Sequence, residues 1–254
     1  MQEPFAILLT ATIDLQSFSQ HSKRSEPETR LRDYQEALRF WEELDDPRIA
    51  GVVVCENSGS RDIESLAEIA GGARKDIEML SYLGEPMPPG LHYGYRELGA
   101  IDYACEQSRL IRSCRTFLKA TGRLRFPNVK RLLDALPDGL DCALDMRRAY
   151  RRERGIRFRA RTQLMLFARD FYERELFGAR DGMIGACSHI EEWLPQALMP
   201  LHEANAASMV LRFPLECAIA GVQGSNARDY QGAAPRLKRA VRGALRVAAP
   251  GLWL

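Results

Sequence analysis

Two apolar, β-branched runs constrain the fold most: Phe5–Ile13 (FAILLTATI) and Ile49–Cys55 (IAGVVVC). Neither alternates polar with apolar residues, so neither suits a strand with one wet face. Continuous apolarity suits strands covered on both faces, as in a parallel sheet flanked by helices. Between the runs, Leu31, Tyr34, Leu38, Trp41 and Leu44 recur at helical spacing. That spacing predicts a helix from about Thr29 to Leu44, ended by Asp46-Pro47. Strand, helix, strand is the repeating unit of an α/β sheet.

The alternation continues. Short apolar runs predict strands at Ile77–Leu83, Thr116–Ala120 and Leu140–Met146. A helix over Tyr95–Ser113 puts Leu98, Ile101, Ala104, Cys105 and Leu110 on one face. Asp14–Pro27 and the Pro/Gly-rich Gly84–Gly94 read as loops. Further on, Gln163–Phe167 and Ser208–Phe213 read as strands, and Arg169–Phe177 and Ser188–Leu198 as helices. The last element, about Ala233 to Val247, is a basic amphipathic helix. The expected division is a main domain over 1–232 and a C-terminal tail over 233–254.

Composition narrows the class. A chain of 254 residues suits one α/β domain, and 46% hydrophobic residues suffice for a sizeable core. With 28% charged residues and a net charge of +2, the chain is neither a disordered polyelectrolyte nor a polycation. No secretory signal is expected, because Phe5–Leu9 is too short an apolar run and follows Glu3. No run reaches the roughly 18 apolar residues that a membrane span requires. The six cysteines form no CxxC pair, which argues against a zinc site and for a reducing, cytoplasmic compartment.

In open α/β sheets, ligands bind beyond the carboxyl ends of the strands. The first strand ends in Thr10-Ala11-Thr12 and the second in Glu56-Asn57-Ser58-Gly59. The Thr116 strand carries Lys119 and runs into Thr121-Gly122-Arg123; the Leu140 strand ends in Asp145-Met146-Arg147. Hydroxyls and an amide suit a base and ribose, and Lys119 and Arg123 suit a diphosphate. Taken singly, each has a bland reading as a strand cap, a turn or a solvated charge; their common location gives them weight.

The order of blocks resembles bacterial GT-A glycosyltransferases of capsule and O-antigen clusters. The matching stretches are ILLTATI, RLRDYQEALRFW, VVVCENSG, HYGYRELGAIDYACEQSRLI and FLKATGRLRFPNVKRLL, with SHIEEWL and FPLECAIAGVQGSNARDY more loosely. The resemblance implies a GT-A-like Rossmann-type mixed sheet flanked by helices. It also implies a nucleotide-sugar donor and a glycan or lipid-linked glycan acceptor, in surface polysaccharide synthesis. By position, Thr10, Ala11 and Thr12 would line the nucleotide, with Glu56 and Asn57 near its base. Arg32, Lys119, Thr121, Gly122 and Arg123 would face the diphosphate. The Gly94-Tyr95-Arg96-Glu97 block resembles a loop opening a helix, whose free N–H groups favour a phosphate; Tyr95 and Glu97 belong to this donor set. Glu97 has an equal claim as an acid complementing the helix dipole.

Many enzymes of this type hold Mg²⁺ or Mn²⁺ on an Asp-x-Asp motif. Here Asp145-Met146-Arg147 has Arg at the second acidic position. Arg147 could then neutralise the leaving group without metal, or Asp145, Asp141 or His189 could still hold an ion. Asp145–Arg147 also has a plain reading as a surface ion pair. An inverting transfer needs a base for the acceptor hydroxyl. Glu191 is the first choice and Glu192 the second; Glu191 has a competing role as the capping-box partner of Ser188.

Arg147–Arg161 (RRAYRRERGIRFRAR) is the densest charge in the chain. It suits an anionic lipid surface or a diphosphate-linked acceptor, a solvated loop, or, less well, nucleic acid. The tail carries Arg236, Lys238, Arg239, Arg242 and Arg246, no acid after Asp229, and Leu237, Val241, Ala244, Leu245 and Ala248 between them. Such a helix suits peripheral contact at the inner face of a membrane, or packing on the domain's own core. Gly221–Asn226 is Gly-rich but is no P-loop; Ser225 and Tyr230 near it are candidate contacts. Two other classes compete with sugar transfer. A sugar nucleotidyltransferase would carry a Gly-rich basic signature after the first strand, which Thr10–Asp14 lacks. A non-catalytic nucleic-acid or lipid-binding module would use the arginine run alone.

Overall fold

A computed structural model describes residues 3–15, 23–151, 155–186, 189–224, 227, 229–249 and 251–253. Strand β1 (Phe5–Ala11) lies between β2 (Ile49–Glu56) and β4 (Thr116–Thr121) and is parallel to both. β3 (Asp76–Ser81) pairs with β2, also in parallel. Beyond β4 the direction reverses: β6 (Gly155–Ala168) runs antiparallel to β4, and β5 (Cys142–Arg151) antiparallel to β6. The two-residue β7 (Met209–Val210) closes the edge, giving the seven-stranded order β3-β2-β1-β4-β6-β5-β7. The sheet is therefore α/β and mixed.

The apolar runs are continuous because both faces are covered. In β1, Ala6 and Leu8 face one core cluster, while Phe5, Ile7 and Leu9 face the other. The first cluster includes residues of α3 (Gly94–Gln107), α4 (Arg109–Ser113), α6 (Arg169–Glu175) and α7 (Ile190–Glu203). The second is filled by α1 (Pro27–Glu43) and α5 (Val129–Asp134), with Trp41 fully buried against Phe126.

Several expectations change. The helix over Tyr95–Ser113 is two helices, because Ser108 leaves helical geometry to accept from the Ile111 N–H while donating to Glu78. α2 (Ile63–Gly71) and α5 are short helices that the sequence did not announce. The larger correction concerns β5, which does not stop at Met146 but runs to Arg151 and turns back as β6. The arginine run is thus the arms of a hairpin, with 152–154 outside the described residues. Its period-two pattern, with Ala160 buried between Arg159 and Arg161, is a strand signature masked by charge. The tail helix is α8 (Ala233–Ala248). Most of the described part of the Asp14–Pro27 loop is irregular, and 16–22 lie outside the described residues.

Candidate functional site

The chain goes from β1 outward to β2 and β3, then crosses to β4 on the other side of β1. That reversal opens a crevice at the strand ends. A cavity of about 420 Å³ lies there. Its walls include Thr10, Ala11 and Thr12 after β1, Asn57 after β2, and Thr121 and Arg123 after β4. Tyr93, Arg96 and Glu97 of the α3 N-terminus, Thr162 and Gln163 of β6, Glu191 of α7, and Gln223, Gly224 and Tyr230 complete much of the remainder.

Two glycines permit this closeness. A Cβ on Gly122 would lie 2.7 Å from the Thr10 carbonyl oxygen, so β1 and β4 converge only with glycine there. A Cβ on Gly94 would lie 2.6 Å from Ile190 Cβ. Gly94 therefore lets the N-termini of α3 and α7 meet, which brings Glu97 and Glu191 to one cavity. A bulge does the same for β6. Ala143 and Asp145 of β5 face Leu166 and Arg161 of β6, so the register shifts between them; Leu164 and Met165 stay paired with β4, and the shift re-aims Thr162 and Gln163.

The cavity is rich in guanidinium groups. Arg30 donates Nη1 to Arg24 O at 3.2 Å and Nη2 to the Tyr34 hydroxyl at 3.0 Å, and binds Thr12 O through Nε and Nη2. Arg123 donates Nη1 to Val222 O at 2.6 Å. Neither forms an ion pair with a carboxylate among the described residues. Burial holds the Arg123 pKa below the ordinary arginine value. Most of the five N–H donors of Arg123 are thus uncommitted beside an open cavity. Two carboxylates face these cations. Glu97 Oε1 accepts from the fully buried Lys119 Nζ and from Thr10 Oγ1 at 3.4 Å. Glu191 Oε2 is buried with no hydrogen-bond partner, and so is Gln163 Oε1. Burial, then the charges of Glu191 and Glu97, push the Tyr93 hydroxyl up to about 12.

Of the other expected site residues, Asn57 stays in the cavity wall, while Arg32, Glu56, Tyr95 and Lys119 stand outside it. Arg32 is exposed, its Nε donating to Glu28 O; Arg30 shares the buried phase of α1 with Tyr34 and Leu38 and reaches the cavity instead. Glu56 is fully buried and accepts from Ile13 N, Ser58 N and Oγ, Ser60 N and Ser81 Oγ. It ties the loops after β1 and β2 together below the cavity wall. Asn57 accepts from Thr12 Oγ1 at 2.7 Å and donates to Arg96 O. Tyr95 points away, donating to Asp181 at 2.7 Å beneath the Arg180 guanidinium. Lys119 acts through Glu97, and also donates to Thr162 O at 2.8 Å.

Asp145 lies inside β5 and accepts from Arg161 and Arg246 at 3.3 and 2.7 Å. Arg147 lies outside the cavity wall, in the same hairpin. Glu192 is buried beside Arg159, 3.7 Å away. His189 is the N-cap of α7 and packs on His92, ring centroids 4.5 Å apart. Ser188 and Ser225 lie outside the described residues. With His189 rather than Ser188 at the cap, Glu191 is left to the cavity. Among the described residues no three His, Cys, Asp or Glu side chains are grouped to hold a metal ion. The donor set does not fit an Asp-x-Asp centre, since the Asp145 carboxylate is taken by arginines. Cavity residues that the sequence did not suggest include Arg30, Met87, Tyr93, Thr162 and Gln163.

Strand order, the reversed β6 and the crevice beside β1 define a GT-A-like α/β fold, a mixed sheet flanked by helices. No protein-family model matches the sequence, and no curated protein matches it. Solved structures do share the fold. One is 4-diphosphocytidyl-2C-methyl-D-erythritol synthase from Anaerococcus prevotii, with a TM-score of 0.50 and 6% identity over 94% of this chain and 96% of that one. Another is inositol-1-phosphate CTP transferase from T. maritima, with a TM-score of 0.50 and 10% identity over 89% and 92%. A third is an active-site mutant of LgtC, with a TM-score of 0.51 and 12% identity over 75% and 69%. At these identities the likeness is one of fold.

Proposed function

We propose that the chain is a nucleotide-sugar-dependent glycosyltransferase acting on a glycan or lipid-linked glycan acceptor in surface polysaccharide synthesis. The observation that carries this reading is Glu191 Oε2, buried without a partner in the same cavity as the carboxylate-free Arg123. Arg123, with Arg30 and Arg96 nearby, would hold the donor diphosphate through charge-assisted hydrogen bonds. Glu191 would take the proton of the acceptor hydroxyl as its oxygen bonds to the anomeric carbon. The bond from that carbon to the diphosphate breaks, and the nucleotide leaves with the electron pair toward Arg123.

Nucleotidyl transfer is the second reading. It is favoured by two of the fold neighbours, a diphosphocytidyl synthase and a CTP transferase, which match both chains nearly end to end. In that reaction an already anionic phosphate attacks, so there is no proton for Glu191 to remove and its charge opposes the nucleophile. The fold likeness leans toward nucleotidyl transfer, and the side chains lean toward sugar transfer.

A thermal-shift panel of nucleoside diphosphates and CMP, with and without Mn²⁺, tests the shared part. One nucleotide should stabilise the chain, since a ligand that binds only the folded state raises its stability. Glu191→Gln should then keep that binding while turnover of the matching nucleotide sugar falls by about 10²–10⁴-fold. Pyrophosphate release from a nucleoside triphosphate and a sugar phosphate, undiminished in Glu191→Gln, would decide for nucleotidyl transfer.

Peripheral contact with the inner face of a membrane belongs to the same proposal. No helix among the described residues is long and apolar enough to cross a membrane. α8 is inverted relative to an ordinary surface helix: Arg246 is buried, while Leu237 and Val247 are 68% and 81% exposed. An outward apolar stripe flanked by Arg236 and Lys238 suits an anionic bilayer surface. Leu237→Ser with Val241→Ser should lower flotation on anionic vesicles without touching the buried arginine. Equal flotation would end that part of the proposal.

A further inference from the structure

Asp145, Glu216, Arg161 and Arg246 form a closed quartet, with Arg161 at 2.8 Å from Glu216 and Arg246 at 2.7 Å from both carboxylates. More guanidinium groups surround it than it can neutralise. In the β5–β6 register Asp145 opposes Arg161 and Arg147 opposes Arg159, so these four side chains share one face of the hairpin. Arg242 sits one turn before Arg246 on α8, on the same side of that helix. Arg159 has Glu192 beside it. Arg147 and Arg242, both half-buried, have neither an ion pair nor a hydrogen bond among the described residues.

A half-buried guanidinium with no acceptor has lost hydration without replacement. Burial, then the charges of Arg242, Arg161 and Arg159, hold Arg147 below the ordinary arginine value. Burial also lowers Arg242. The cluster adjoins the candidate site: Arg161, Arg123 and Arg147 all act on Tyr230, a residue of the cavity wall. An oxyanion placed between β5 and α8 would satisfy the donors and relieve the repulsion together.

We infer that Arg147 and Arg242 form a second anion subsite, distinct from Arg123, that receives a phosphate or diphosphate group. The assignment of that group to the acceptor rests on the proposed sugar transfer; the subsite itself does not. A soluble phosphorylated acceptor and a lipid-borne phosphate at a bilayer both supply this chemistry.

Calorimetric titration of the full chain with inorganic pyrophosphate tests it. The wild type should bind at two separable sites. Arg147→Gln with Arg242→Gln should weaken one of them by at least about tenfold, and Arg123→Gln the other, as expected when charged hydrogen bonds are removed. The paired variant should keep or raise its urea midpoint, because repulsion is removed with no partner orphaned. Unchanged pyrophosphate binding in the paired variant overturns the subsite. Flotation distinguishes the sources. If the paired variant also loses binding to phosphatidylglycerol vesicles over phosphatidylcholine vesicles, the phosphate is lipid-borne; if it loses only pyrophosphate, the phosphate is soluble. A chain that binds no nucleotide yet keeps the Arg147-dependent pyrophosphate site would sink the sugar-transfer reading and leave the subsite standing.

Discussion

The quartet between β5 and α8 and the cavity beside β1 both gather arginines, yet they differ in one respect. In the quartet, Arg161 and Arg246 meet Asp145 and Glu216, and the charges cancel within the protein. In the cavity, Arg123 has one backbone carbonyl and no carboxylate. The first arrangement balances its charges without a ligand and ties the tail helix to the sheet. The second is left short of negative charge, as is common at sites that bind anions. Charge density alone, which is what a sequence displays, does not separate the two.

The largest test of this contrast is Asp145→Ala. It leaves two buried guanidinium groups to share Glu216 and should cost about 3–5 kcal/mol of stability in urea unfolding. A loss below about 1 kcal/mol, the range of an exposed pair, would mean that the quartet is not neutralising anything. Next comes Arg123→Gln, which should weaken nucleotide binding by about 10–100-fold, the effect of losing a hydrogen bond to a charged group. Its urea midpoint should change little, because the substitution removes a desolvated charge that has no carboxylate and gives up one hydrogen bond, to Val222 O. A marked fall in stability would move Arg123 into the structural class.

The smallest effect is in pH. Asp102 accepts from Tyr172 at 2.7 Å and from Gly178 N, yet burial pushes its pKa up to about 6. A folded pKa raised above the unfolded value of roughly 4 contributes stability that is complete below pH 4 and lost as pH rises toward 6. The stability of wild type relative to Asp102→Asn should therefore decline across that interval and level off above it. A difference that does not change with pH would place Asp102 among the compensated carboxylates.

Much of this architecture is legible in the sequence where burial leaves no choice. The strands Phe5–Ala11 and Ile49–Glu56 are apolar on both faces, and the α1 pattern from Tyr34 to Trp41 fixes its inward side. That same phase points to Arg30 rather than Arg32, a signal available one turn before Tyr34. Gln163 is another matter. It reaches the cavity through a bulge set by pairing with β5, and nothing local announces it. Asp145 looks like a strand-end acid only while the arginine run is taken for a loop; its partners Arg161 and Arg246 lie 16 and 101 residues away along the chain. Nearby pattern reveals strands and helices, whereas charge balance depends on distant segments.

Glu56 has a consequence for how the cavity could diversify. Its carboxylate never faces the cavity, yet it anchors both the Ile13 turn and the Ser58–Ser60 turn from beneath. Wall residues such as Thr12 and Asn57 therefore stand on a platform whose geometry does not depend on their identity. Ligand preference can be rewritten at those positions while the platform stays in place, so a change of substrate need not be a change of scaffold.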